Sequence, residues 1–374
     1  MNIRDELGKR ILFFDGGMGS MLQKYGMKSG EIPDLLNIKN PQMLLKIHSE
    51  YLQAGADIIT TNTFGTNSLK LEGTGFTTDE IIEASINLIK TCISNTNSSN
   101  KKYIALDIGP SGKLMEPLGP LSFDDAYELF KEVAISGEKH GADLAIIETM
   151  SDTYEIKAAI LAVKENTSLP IFATMTFDEN GHTLTGSDVV GMTALLEGLG
   201  VDCLGINCGL GPFQIKKLYE QMQNYVSTAV MLQPNAGMPV YENGETHYNI
   251  NAEQFAECMF ELAQKGTWVL GGCCGTTPEH ISKVVSLCKD IKPIPLKNKD
   301  ITLISSYSAV VELGKGPKIV GERINPTGKK KFKEALKNND IDYILDEALS
   351  QKEKGADILD VNVGLPEIDE CEMM

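Results

Sequence analysis

The sequence predicts an α/β protein built on a (β/α)8 TIM barrel, followed by a linker and the first βα units of an incomplete second barrel. Three observations carry this expectation. Short β-branched apolar runs alternate eight times with amphipathic helical stretches. The runs are almost continuously apolar, as parallel strands buried on both faces must be. Gly-Ala-Asp recurs where a helix gives way to a strand, at Gly55-Ala56-Asp57 and Gly141-Ala142-Asp143, a C′ glycine followed by strand entry.

In order, the expected strands are Ile11–Asp15, Asp57–Asn62, Tyr103–Asp107, Asp143–Glu148, Pro170–Thr176, Val201–Asn207, Thr228–Gln233 and Thr267–Gly271. Pro41 sits well at a helix N1 with Asn40 before it. Ser122 and Asp124 open a helix to His140, Pro212 opens one to Tyr225, and Pro278 opens one to Lys289. Eight βα units in about 290 residues suit a barrel of the usual ~250 residues with modest insertions. The competing doubly wound sheet finds little support, because Asp15-Gly16-Gly17-Met18-Gly19-Ser20 lacks the Gly-x-Gly-x-x-Gly spacing of a dinucleotide loop.

From Lys289 the chain turns polar and rich in Pro and Lys, as a linker does. The expected organisation is a barrel over 1–290, a linker over 291–317 and the start of a second barrel over 318–374. The last part offers a strand at Lys318–Gly321, a largely helical Lys331–Lys354 and a strand at Asp357–Val363. Two βα units do not close a barrel, and the edge they expose calls for further strands.

The 374 residues carry 51 acidic and 34 basic side chains, a net charge of −17. Such a surface repels phosphate backbones and anionic membranes, so neither nucleic acid nor membrane is an expected partner. The polar Met1–Arg10 has no apolar core of a secretory signal. Eight cysteines in such a chain fit a reducing cytoplasm, where grouped thiols serve as metal ligands or catalytic groups.

Three of those cysteines stand apart. Cys208 lies in Gly205-Ile206-Asn207-Cys208-Gly209, and Cys273 and Cys274 lie in Gly271-Gly272-Cys273-Cys274-Gly275. Both groups follow strands, the sixth and the eighth, whose ends lie roughly 10 Å apart across one intervening strand. Zinc with Zn–S bonds near ~2.3 Å can bridge them and keep a fourth position open, as a catalytic zinc does. A thiolate-rich zinc suits a thiol substrate. Cys92, Cys258 and Cys288 fall in helical stretches and Cys203 inside a strand, where cysteine is a small core hydrophobe.

Barrel active sites gather at C-terminal strand ends. Asp15, Asn62, Asp107, Glu148 and Asn207 stand there. Rim carboxylates also serve as caps or salt-bridge partners. Asp15 and Glu148, beside an anionic zinc-thiolate, suit a zwitterionic amino acid whose amine needs neutralising. Backbone N–H groups around Gly16-Gly17 and Thr63 are candidates for its carboxylate.

Phe14-Asp15-Gly16-Gly17-Met18-Gly19, Thr61-Asn62-Thr63-Phe64-Gly65, Ile147-Glu148-Thr149, Gly205-Ile206-Asn207-Cys208 and Gly271-Gly272-Cys273-Cys274-Gly275-Thr276 together resemble the homocysteine S-methyltransferase family over residues 1 to about 290. The resemblance implies methyl transfer to homocysteine, with zinc on Cys208, Cys273 and Cys274, and Asp15 and Glu148 at the amino acid. The later Val320-Gly321-Glu322-Arg323-Ile324-Asn325-Pro326-Thr327-Gly328 and Asp357-Ile358-Leu359-Asp360-Val361-Asn362 look like the first two strands of a pterin-binding barrel. That implies Glu322, Asn325, Asp360 and Asn362 as early parts of a pterin site. The order of the two barrels is that of the cobalamin-dependent methionine synthase family. It implies methylcobalamin as donor, held by a module in cis or trans, and methyltetrahydrofolate in the full-length enzyme. Two alternatives stay open: a stand-alone homocysteine methyltransferase using betaine or S-methylmethionine, and a non-catalytic zinc-thiolate redox or storage protein.

Overall fold

A computed structural model describes residues 2–374 other than Asn97, Ser99, Asn243 and Gly244. It divides into two compact units, one of residues 1–299 with Ser306–Ala309, the other of Asp300–Ser305 and Val310–Met374.

The first unit is the expected barrel. Its strands are β1 (Leu12–Phe13), β2 (Ile58–Thr60), β3 (Tyr103–Ile108), β4 (Leu144–Met150), β5 (Ile171–Met175), β6 (Cys203–Asn207), β7 (Ala229–Gln233) and β8 (Val269–Leu270). From β2 to β8 each strand pairs in parallel with the next, and β8 pairs with β1. A parallel bridge from Phe14 to Ile58 joins the remaining edges.

Alternation along the strands builds two separate apolar layers. Leu12, Phe14, Ile58, Tyr103, Ala105, Leu144, Ile146, Phe172, Cys203, Ala229, Met231 and Val269 fill the barrel axis. Their neighbours of opposite parity, such as Phe13, Ile59, Ile104, Ala145 and Leu204, pack under the helices. Continuing the inward series by two residues reaches Thr60, Asp107, Glu148, Thr174 and Gln233, and by four from Cys203 reaches Asn207. The axis thus changes from apolar to polar at the C-terminal strand ends.

Helices begin where capping chemistry places them. Ser122 accepts from Asp125 N–H at the start of Phe123–His140, and prolines hold N1 of Pro41–Gln53, Pro212–Met222 and Pro278–Cys288. Asn40 takes the N-cap position but makes no side-chain cap bond. Gly141 ends its helix at φ +91, a left-handed conformation that favours glycine. After β7 the chain adds an antiparallel hairpin, Pro239–Glu242 with Glu245–Tyr248.

Close packing at the barrel wall makes one position intolerant. A Cβ on Gly205 would sit 1.8 Å from the Met231 carbonyl oxygen on β7. Gly205→Ala is therefore expected to lower stability by at least about 2 kcal/mol. Urea unfolding checks it, with a lower midpoint expected.

The second unit contains an antiparallel hairpin of Thr302–Ser305 and Val310–Leu313, whose strands lie within the stretch expected as linker. Val320–Ile324 and Ile358–Val361 form a parallel pair. The helical stretch between them is two helices, Lys330–Lys337 and Ile341–Glu353, and Asn339 at φ +53 lies between them. Ile324, Phe332, Leu336, Val363 and Leu365 make its small core.

Candidate metal and substrate site

The thiols of Cys208, Cys273 and Cys274 converge. Their sulfur atoms all lie within 4.8 Å of one another, and Cys208 Sγ is 3.8 Å from Cys274 Sγ. Two local devices aim them. Cys208 adopts φ +54, and Gly275, next to the Cys pair, turns at φ +79. A side chain at φ near +55 is uncommon outside glycine and marks a position the surroundings over-determine. Backbone bonds Cys208 N–H to Gln233 O and Cys273 N–H to Pro234 O tie both loops to the end of β7.

Thiols this close cannot all ionise independently. S–H bonds to Cys208 and Cys274, with burial, push the Cys273 thiol well up. Cys274, receiving bonds from the other two, is pulled down. Three soft donors able to share one centre fit a divalent zinc-type ion that takes them as thiolates.

The cluster opens into a cavity of about 700 Å³ whose walls include Asp15, Asp107 and Glu148. Asp15 is buried and accepts from Thr60 N–H at 2.9 Å and Thr60 Oγ–H at 2.7 Å. Burial outweighs those bonds and pushes its carboxyl up to about 7. Burial, then the charges of Asp15 and Cys274, pushes Glu148 up to about 8. Asp107 is raised too, by burial first and then by Glu148, and its Oδ1 has no hydrogen-bond partner among the described residues. Three carboxyls held above their ordinary range in one cavity are prepared for a cation.

Of the other expected residues, Gly16, Gly17 and Asn62 line the cavity. The Gly17 N–H is already donated to Thr276 Oγ1 at 3.0 Å. Thr63 is buried, and its hydroxyl donates to Asp107 O. Asn207 is fully buried behind Glu148 and Thr149. Its Nδ2 donates to Thr149 Oγ1 at 2.7 Å and to Glu148 Oε2 at 3.3 Å; its Oδ1 accepts from Thr149 N–H and Thr174 Oγ–H, both at 2.8 Å. Asn207→Ala strands these buried groups and is expected to cost about 1–3 kcal/mol. A fall in urea midpoint at unchanged slope measures it.

Glu322, Asp360 and Asn362 are exposed and Asn325 half-buried, all in the second unit near the ends of its parallel pair. Asn325 and Asn362 accept from local backbone, Thr327 N–H and Gly364 N–H.

Some contributors escaped sequence reasoning. Gln233 lines the cavity; continuing the inward alternation of β7 is the signal that finds it. Tyr248 stands near Cys274 and helps pull its thiol down, and its ring lies where a Gly275 Cβ would be, 2.2 Å from Cγ. No periodicity reveals it, because it stands at the end of the 239–248 hairpin.

The profile of the family described as homocysteine S-methyltransferase matches residues 12–288. Methionine synthase of Mycobacterium leprae is 31% identical over 386 residues, covering 97% of this chain and 32% of that protein. Methionine synthase of Mycobacterium tuberculosis is also 31% identical, over 380 residues, with the same coverage. The chain thus spans about a third of the length of these relatives. The oxidised form of the homocysteine methyltransferase MmuM from Escherichia coli superposes with a TM-score of 0.63 at 21% identity, covering 74% of this chain and 95% of that one. Its metallated form gives 0.63 at 20% identity, covering 74% and 96%. These structures share the barrel fold. Among the described residues, no helix is long and apolar enough to cross a membrane.

Proposed function

The chain belongs to the homocysteine S-methyltransferase family, and from that premise we propose that its barrel methylates the thiol of homocysteine to give methionine. One observation carries the reading: three cysteine sulfurs within 4.8 Å of one another, opening into the cavity lined by Asp15 and Glu148.

Cys208, Cys273 and Cys274 would hold zinc. Bound there, it supplies the Lewis acidity that removes the proton of a thiol, whose free pKa is about 8.5. Glu148, Asp15 and Asp107 take the substrate ammonium, whose charge answers theirs. Asn207 fixes the carboxylate of Glu148 and the peptide of Thr149 from behind. With both ends of the amino acid held, the sulfur meets its methyl donor in one orientation. The S–C bond forms as the donor–methyl bond breaks in line, the bonding pair leaving with the donor; the product is a neutral thioether, which a metal held by Cys208, Cys273 and Cys274 would bind far more weakly than a thiolate.

The donor in this reading is methylcobalamin, carried by another module in cis or trans, with methyltetrahydrofolate recharging it in the full-length enzyme. The similarity to methionine synthases over 97% of the chain supports it. So do Glu322 and Asp360 on the two parallel strands of the second unit, with Asn325 and Asn362 just past their ends, read as an early portion of a pterin site. The cytoplasm is the compartment that keeps the three thiols reduced.

Zinc-edge X-ray absorption with and without homocysteine tests the proposal. Three sulfur neighbours without substrate and four with it are expected. An unchanged edge at saturating homocysteine rejects it and favours a storage or redox role.

A further inference from the structure

The cavity is shaped on one side by a distorted strand. The pairing of β4 with β5 shifts register between Ile147 and Met150, and Thr149 within it adopts φ +60. A β-branched residue in that conformation is strained and persists only where its surroundings hold it. Bulges beside active sites re-aim side chains; this one carries Glu148. Asn207 holds its upstream end through Thr149.

Pairing resumes at Met150 with Met175, and the segment just beyond it is held by a residue outside the family match, which stops at residue 288. The Tyr307 hydroxyl donates to Asp152 Oδ2 at 2.7 Å, and Thr153 Oγ–H donates to the Tyr307 carbonyl at 3.0 Å. The Tyr307 ring meets Tyr154 edge-on, centroids 4.9 Å apart. Asp152 is buried, and its Oδ1 caps the next helix at Tyr154 N–H, 2.7 Å away. Only Met150 and Ser151 separate Asp152 from the strained Thr149.

We propose that Tyr307 is a positioning residue for the substrate amine: it clamps the segment that leaves the strained bulge at Asp152 and Thr153 and, through it, fixes where Glu148 points. This rests on the reading of the cavity as a homocysteine site. Thr149 and Asp152, three positions apart, are each tied to a distant residue, and Met150 between them pairs with Met175, so the backbone that carries Glu148 is held on both sides. Burial and Asp152 hold the Tyr307 hydroxyl up to about 12, so it remains a donor at every working pH. A barrel ending near residue 290 lacks this clamp.

The test uses the full chain with Tyr307→Phe, which keeps the ring and removes only the hydroxyl, and Tyr307→Ala, which removes both. Two readouts are independent. Hydrogen–deuterium exchange of the backbone amides of residues 148–153 is expected to speed up in both variants. The homocysteine KM is expected to rise three- to tenfold in Tyr307→Phe and further in Tyr307→Ala, with kcat and zinc content unchanged. Lower thermal stability with wild-type KM would show a merely structural role and overturn the proposal. So would wild-type exchange over 148–153 in Tyr307→Phe. Should the wild-type chain bind no homocysteine, the functional reading and the amine role fall together. Accelerated exchange would then show only a clamp without a substrate.

Discussion

Cys208→Ser is expected to release the metal. A serine hydroxyl stays protonated near neutral pH and is a hard ligand where a soft anion stood. Outer-shell partners of metal ligands are already worth ten- to a hundredfold in affinity, so losing one of three direct ligands should weaken zinc by more than about a hundredfold. The fold should survive, because Cys208 lies at a strand end and packs in neither apolar layer of the barrel. Elemental analysis after dialysis against a weak chelator is the measurement. Less than about a tenth of the zinc should remain in Cys208→Ser, Cys273→Ser or Cys274→Ser, against one ion per chain in the wild type. Full occupancy in the Cys208→Ser protein would remove Cys208 from the ligand set.

Glu148→Gln is expected to weaken homocysteine binding by about 1.5–3 kcal/mol, roughly ten- to a hundredfold, while zinc stays in place. Amide replaces carboxylate at nearly constant shape, so the lost quantity is charge. The pH dependence follows in sign. Glu148 is raised to about 8 and Asp15 to about 7 in the folded chain. Between their ordinary values near 4 and these raised ones, the folded state holds more protons than the unfolded state. Stability from these groups is therefore fully present below about pH 4 and is lost as pH rises through 7 and 8. A bound ammonium favours the ionised carboxylates and releases their protons. Homocysteine affinity should thus climb from pH 6 to 8, and binding should expel protons from Glu148 as well as from the thiol. Titration calorimetry in buffers of different ionisation enthalpy counts them. Fewer protons should leave in Glu148→Gln, and Asp15→Asn should show a smaller change in the same direction. Wild-type affinity in both variants would reject the amine role.

Much of the site is legible along the chain because barrel strands advertise themselves. Each of the eight apolar runs became a strand, six of them shortened and the third and fourth extended at their C-terminal ends, and residues at or just past those ends reached one face. Asp15, Cys208 and Cys273-Cys274 stand out because a charged or thiol side chain ends an apolar run beside glycine, and Glu148 because a carboxylate ends one. Asp107 is equally placed by its two-residue offset from Ala105, yet a single carboxylate at a strand end looks like any rim residue. Its unpartnered Oδ1 becomes visible only in three dimensions. Asn207 is predicted as a substrate contact; its bonds show a buried brace for Thr149 and Glu148.

Local order and tertiary closure divided the work accordingly. Hydrophobic period, glycine punctuation and helix caps are local properties, so the chain specifies its βα units, their parallel order and the strand-end position of the cysteines. The 4.8 Å meeting of three sulfurs needs β6 and β8 held on either side of β7, which barrel closure alone supplies. The raised carboxyls need a shared buried cavity. The strain at Thr149 needs Asn207, 58 positions away, to hold it. Tyr248 and Tyr307 come from hairpins with no helical or barrel period to announce them. Burial, strain and mutual ionisation are properties of neighbours in space, and no run of residues contains those neighbours.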